Sequence, residues 1–328
     1  MGTRGLVTLT KKDQDKIFAK LTSSSQETID VRAEKTKLNN PQINLSNNEL
    51  FESHVRNIAW KPMQNHGLND SSIELYAEDQ DWPMQVKAYL NLVKDEDLSA
   101  KRIVDMGCGW GSLSLWIADN YPNSSVTSVS NSRTQKEFID HMARKKGLKN
   151  IEVITHDMKD FNIDKKFDRI VSIEMFEHMK NYRKLFSRVS SWLKDDGLFF
   201  MHIFCHKNVP YEFIDKGPND WMSRYFFTGG IMPSDDLPLF FQDHLLIRNR
   251  WRWNGFHYAK TCHTWLKNMD SKKTSLMPIM KSVYGSDHKQ WWQRWRIFFM
   301  SCAELFAFND GNEWYIGHFL FSKKTAEK

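Results

Sequence analysis

Three side chains able to move a proton, Glu174, Glu177 and His178, stand together in the run Ser172-Ile173-Glu174-Met175-Phe176-Glu177-His178-Met179-Lys180-Asn181-Tyr182. Their spacing of i, i+3 and i+4 predicts a helix that carries all three on one side. An imidazole between two carboxylates is raised in pKa and poised to take up a proton, which is the work of a general base. Taken without context, the same trio equally suits the solvated face of an ordinary helix.

A second chemical signal lies upstream, in Asp105-Met106-Gly107-Cys108-Gly109-Trp110-Gly111. Glycines at 107, 109 and 111 let the backbone turn tightly and approach a ligand without a Cβ in the way, and the helix that follows offers its N-terminus. The plain alternative is a strand-to-helix turn. A dinucleotide site would set an acidic residue roughly twenty positions further on, at the end of the second strand. Ser130-Asn131 stands there instead. A hydroxyl and an amide still bond ribose hydroxyls, so a nucleoside is retained and NAD disfavoured. Gln135 can assist from the next helix, Asp157 can accept a hydrogen from an adenine amino group, and Met158 can pack on the ring. Asp157 is otherwise read as a helix cap.

These residues need a scaffold, and the hydrophobic pattern supplies one. Strands are predicted over 102–106, 125–130, 151–154, 167–173 and 198–204. Helices are predicted over 112–120, 133–146, with Gly147 as its stop, and 175–193. Buried apolar strands alternating with helices mean a mostly parallel sheet covered on both faces, with ligands at the carboxyl ends of its strands. The segment 314–321 reads as a strand returning to that sheet. The stretch 206–295 is aromatic, polar and rich in loops, as for an inserted cap, and most of Trp221, Tyr225, Phe226, Phe227, Trp291, Trp292 and Trp295 are expected to form its core. Ahead of the strands, residues 1–50 form a polar, partly ordered arm. Residues 51–98 form N-terminal helices, with Val86, Tyr89, Leu90 and Val93 on one face.

Residues 103 to 323 resemble the coclaurine N-methyltransferase family, relatives of the bacterial cyclopropane fatty acid synthases. The likeness rests on VDMGCGWGSLSLWIA, NSRTQKEFI, SIEMFEHMKNY, FCHK, WMSRYFFTGGIMPS, GFHYAKT, YGSD and AELFAFNDGNEWYIGHFLF, in that order. It implies a Rossmann-like class I methyltransferase, α/β and doubly wound, with N-terminal helices and an inserted helical cap. It implies S-adenosyl-L-methionine held by Asp105, Gly107, Gly109, Gly111, Ser130, Asn131, Gln135, Asp157, Met158 and Ile173. It also implies a small, aromatic amine near Glu174, Glu177 and His178, in a pocket lined by His202, His206, Tyr258, Phe299 and Trp314. Methyl transfer to an amine needs a free lone pair, hence loss of the ammonium proton, which suits the trio. Two features depart from the superfamily. Its tyrosine- and cysteine-containing segment before the cofactor strand has no counterpart in 66–82. Of the bicarbonate ligands of the cyclopropane synthases, Glu177 and His202 match, the cysteine is missing, and Phe299 takes the tyrosine's place. The lipid enzymes also carry a small residue at the position of Glu174, and an added carboxylate attracts a cation, which favours amine over alkene chemistry.

The domain reading is therefore an arm at 1–50, helices at 51–98, a cofactor-binding core at 99–205, a substrate cap at 206–310 and a closing strand at 311–328. Composition narrows the partners. The formal charge of +6 is spread among interleaved acids and bases, a solvated mixed surface with no nucleic-acid stripe. Four separated cysteines, Cys108, Cys205, Cys262 and Cys302, signal neither a disulfide framework nor a zinc site, so no metal is expected. No apolar run reaches the length of a membrane span, and a cytoplasmic enzyme without integral membrane association is expected. The 13 Trp and 22 Phe, most of them beyond residue 180, suit an enclosed cationic acceptor. A homodimer is compatible with the sequence. The rival readings are methyl or methylene transfer to a lipid alkene, with bicarbonate and a long apolar tunnel, and a cofactor-binding partner subunit without catalysis.

Overall fold

The computed structural model describes residues 100–217, 220–227 and 229–324 of the 328, so the arm at 1–50, the helical face at Val86 to Val93 and the segment 66–82 lie outside the described residues. The described chain falls into two compact units by its contacts, one built from 100–156 and 253–315, the other from 157–252 and 316–324.

The first unit holds β1 (Arg102–Met106), β2 (Ser125–Ser130) and β3 (Ile151–Thr155), parallel neighbours in the order β3-β2-β1. The strands are joined by α1 (Ser112–Asn120) and α2 (Arg133–Lys146), which agrees with the sequence reading to the residue. Both ends of α2 are written locally. Ser132 accepts a hydrogen bond from the Gln135 amide at 3.2 Å, and Gly147 stops the helix at φ 70°, where a side chain would be strained. Three further helices belong to this unit: α5 (Gly255–Ser271), α6 (Lys273–Tyr284) and α7 (His288–Gly311), with α5 packed along α7. The stretch expected to be rich in loops is thus largely helical here. Its aromatics at i, i+3, i+4 spacing, among them Trp291, Trp292 and Trp295, are buried as helix core.

The second unit contains β4 (Phe167–Ile173), α3 (Tyr182–Trp192), β5 (Leu193–His206), the two-residue strands β6 (Tyr211–Glu212) and β7 (Ile231–Met232), the short α4 (Trp221–Tyr225), nearly all of β8 (Leu245–Trp253) and, from Ile316 on, β9 (Trp314–Lys323). Its main strands lie in the order β4-β5-β9-β8, so β9 enters between β5 and β8 as a returning strand, and β4 and β5 are parallel. The interior is aromatic, with Phe176, Tyr182, Phe186, Phe199 and Phe321 stacked or edge-on at 5.1–5.8 Å. By contrast, Trp221, Tyr225, Phe226 and Phe227 are only half-buried, which corrects the expectation that they are core.

One helix differs from its sequence pattern. The segment after β4 is not helical from 175. It makes a single 3-10 turn, Phe176–His178, and α3 begins only at Tyr182. Glu174 takes φ 51°, outside the helical region, and Asn181 caps α3 by accepting from the Lys184 amide at 2.9 Å. The trio Glu174, Glu177 and His178 therefore does not share a helix face.

Candidate active site

The glycine turn is built as its sequence suggests. Gly107, Gly109 and Gly111 all have positive φ, 81°, 53° and 78°. The amides of Gly107 and Cys108 both donate to the Val129 carbonyl at 3.0 Å, tying the turn to the end of β2. The three glycines differ in what surrounds them. A Cβ on Gly111 would lie 2.6 Å from Ile139 Cγ1, whereas one on Gly109 would meet nothing within 4 Å. Gly111 thus serves close packing of the turn on α2, and Gly109 leaves the backbone open to a ligand. Asp105 is buried and accepts from the Ser114 hydroxyl at 2.6 Å. Burial pushes its pKa up to about 6 against the downward pull of that bond. Its side chain thus ties the end of β1 to α1. At the end of β2, the Ser130 hydroxyl lies 2.5 Å from Gln135 Oε1 and accepts from the Ser132 amide at 3.0 Å, while Asn131 is exposed. With its oxygen engaged, Gln135 presents its amide NH2 as a donor.

In the other unit, Asp157 accepts from the Lys159 amide at 2.9 Å, and its carbonyl accepts from Phe161. The cap role weighed for Asp157 is present, although it opens a turn and no long helix. Met158 is buried and Ile173 half-buried.

The polar residues after β4 have unequal environments. Glu177 is 1% exposed, and its Oε1 accepts from the Phe204 amide at 2.8 Å. Its Oε2 has no hydrogen-bond partner among the described residues. Burial, then the neighbouring Glu174 carboxylate, push its pKa well above the usual carboxylate range, and the bonds from backbone amides only partly offset this. Glu177 is therefore a buried acid whose protonated form is favoured, and it fastens the end of β5. Glu174, 27% exposed at its side chain, keeps access to solvent, and its Oε1 lies 3.5 Å from His202 Nε2. Its amide donates to the His202 carbonyl at 3.0 Å, so the residue is locked to β5 by its backbone as well. His178 is half-buried, its amide bonded to the Met175 carbonyl within the 3-10 turn.

His202 is buried on β5, and its Nδ1 lies 2.9 Å from Nε2 of His318 on β9, a residue to which the sequence reading assigns no role. Only the neighbouring of β5 and β9 brings them together. The Nδ1 of His206 accepts from the amides of Asn208 and Val209 at 3.1 and 2.8 Å, which commits that nitrogen to the turn after β5. In the first unit, Tyr258 lies against Phe306 at 4.5 Å, Phe299 sits between Trp265 and Trp295, and Trp314 is edge-on to Phe308. All three are buried. Among the described residues, no group of three His, Cys, Asp or Glu side chains has the arrangement of a metal site.

Comparison with known proteins gives this geometry relatives. The family model of mycolic acid cyclopropane synthetase matches residues 84–315. An (S)-coclaurine N-methyltransferase of Thalictrum flavum subsp. glaucum is 38% identical over 227 residues, 68% of this chain and 63% of the relative. That of Papaver somniferum is 36% identical over 226 residues, 68% of this chain and 64% of the relative. The chain thus spans just under two thirds of the length of these relatives. A crystal structure of coclaurine N-methyltransferase bound to N-methylheliamine and S-adenosylhomocysteine superposes with a TM-score of 0.76 at 30% identity, covering 96% of this chain and 89% of that one. A cyclopropane synthase of Mycobacterium tuberculosis superposes at 0.61 with 19% identity, covering 80% and 98%, a likeness of fold. The α/β fold is that of the class I methyltransferases.

Proposed function

Since the chain belongs to the mycolic acid cyclopropane synthetase family, we propose that it is an S-adenosylmethionine-dependent N-methyltransferase acting on a small aromatic amine. The observation that carries the reading is Glu174, an acidic side chain with solvent access at the carboxyl end of β4, beside a buried acid whose pKa burial raises. A lone carboxylate attracts a cation, and repulsion from a second charge is avoided while Glu177 stays neutral.

The residues of the turn fit the cofactor. Gly109 leaves open backbone, and Ser130, Asn131 and Gln135 form a donor and acceptor set suited to a nucleoside. When bound there, S-adenosylmethionine supplies a methyl group on a sulfonium. The chain's own part is to prepare the nitrogen. Glu174 draws the ammonium and orients it, His178 takes its proton and frees the lone pair, and Glu177 holds the Phe204 amide so that the end of β5 stays in place. In this reading the acceptor is a diffusible amine and the enzyme works in the cytoplasm. No helix among the described residues is long and apolar enough to cross a membrane.

The test is transfer of label from S-adenosylmethionine to a panel of amines that includes coclaurine, with a lipid extract alongside. Labelled amine supports the reading. Label confined to lipid would replace it with alkene chemistry.

A further inference from the structure

The pairing of two buried histidines behind Glu174 has no place in the chemistry above. His318 is fully buried, stacks on Phe200 at 5.6 Å and 24°, and sets Nε2 2.9 Å from His202 Nδ1, while His202 Nε2 faces Glu174 Oε1 at 3.5 Å without a hydrogen bond between them. The three groups form a line from solvent to core: carboxylate, imidazole, imidazole.

We propose that His318 is a positioning residue, which fixes His202 in the tautomer that carries its hydrogen on Nε2 and so aims an N–H at Glu174. The inference rests on the reading of Glu174 as the acceptor-binding carboxylate. A neutral imidazole has one N–H and one lone pair. Facing a carboxylate, Nε2 of His202 is favoured as the donor, which leaves Nδ1 as an acceptor, and only an N–H from His318 Nε2 can fill the 2.9 Å contact. Burial, and then the neighbouring His202, hold the pKa of His318 well below the usual histidine value, so His318 stays neutral and donates without bringing a second charge into the core. Its place on β9, flanked by Phe200 and the His202 ring, leaves the imidazole little freedom to turn. A partner that fixes a histidine's tautomer in this way acts through the histidine, as the outer partners of metal-bound histidines do.

The test uses the full chain labelled with 15N in histidine, with no acceptor present. Two-bond 1H–15N spectra of the wild type are expected to show His202 with a protonated Nε2 and an unprotonated Nδ1, assigned by loss of the signals in His202→Gln. A wild-type His202 with its hydrogen on Nδ1 overturns the proposal, whatever the enzyme methylates. His318→Phe, which keeps an aromatic ring on Phe200, is expected to mix or reverse the tautomer. With coclaurine as acceptor it should lower kcat by about ten- to a hundredfold, leaving KM for S-adenosylmethionine nearly unchanged. His318→Gln, which restores an N–H donor, should recover most of both. A His318→Phe enzyme that keeps the wild-type tautomer and rate also overturns the proposal. Should His318→Phe not fold, the wild-type spectrum and His318→Gln decide it. Absence of coclaurine methylation by the wild type would count against the amine reading alone, because the tautomer is read without turnover.

Discussion

Two glycines of one turn should respond differently to the same substitution. Both Gly109 and Gly111 have left-handed backbone, so alanine at either costs about 1–2 kcal/mol in conformation. At Gly111 there is a second cost. The new methyl would sit 2.6 Å from Cγ1, 2.9 Å from Cδ1 and 3.3 Å from Cγ2 of Ile139, three atoms of one branched side chain. Ile139 is fully buried against Cys108 and Val153, and a β-branched residue in a helix has one strongly preferred χ1, so it cannot swing aside. Overpacking of this kind costs about 1–3 kcal/mol. Gly111→Ala is thus expected to lose about 2–5 kcal/mol in all. Gly109→Ala should lose only the conformational part, yet weaken S-adenosylhomocysteine binding sharply, because its Cβ enters the open side of the turn. Urea unfolding measures the first quantity and calorimetric titration the second. A double-mutant cycle isolates the clash: Ile139→Ala removes all three contacting atoms, so Gly111→Ala should cost less by about 1–3 kcal/mol in that background. Strict additivity of the two substitutions, or a Gly109→Ala protein as unstable as Gly111→Ala, would refute the division of labour drawn here.

Glu177 makes stability depend on pH. Its folded pKa is raised, so above its usual value of 4.5 the unfolded carboxyl ionises while the folded one keeps its proton, and the native state loses up to about 1.4 kcal/mol per pH unit as pH rises. Glu177→Gln, neutral and able to accept from the Phe204 amide, should remove that slope, so that its stability relative to wild type climbs from pH 4.5 toward neutrality in urea titrations; a constant difference across that window would mean that Glu177 is ionised in the fold. Glu174→Gln should raise KM for the amine and leave S-adenosylhomocysteine affinity unchanged by calorimetry. His178→Ala should slow single-turnover methylation by about a hundredfold for amines of high pKa and only mildly for acceptors already neutral. An equal loss at every pKa would reduce His178 to a positioning role. Removing bicarbonate should leave amine methylation unchanged, and a severalfold rise on adding it back would revive the lipid reading.

The local chemistry of the chain was legible from its sequence alone. The bounds of β1, α1, β2, α2 and β4, the stop at Gly147 and the left-handed glycines at 107, 109 and 111 all follow from apolar periodicity and from residues that only certain backbone conformations tolerate. Such signals act within a few residues and need no distant partner. The same locality explains the misreading after β4. Spacing at i, i+3 and i+4 suggested a helix through Glu174, Glu177 and His178, yet the left-handed turn at Glu174 and the cap at Asn181 delay α3 to Tyr182. Asn181 ahead of Tyr182, Leu185, Phe186 and Val189 has the residue type of a helix start, a signal that the acidic spacing does not carry. What no local pattern carries is burial. Glu174 and Glu177 are the same residue type three positions apart, and only the strand beside them makes one accessible and the other buried with its pKa raised. His202 and His318 are 116 residues apart, and they meet because β9 enters beside β5. The types of group available for chemistry are a property of the sequence. Their protonation, tautomers and partners are set by desolvation and by long-range strand order, which exist only once the chain is folded.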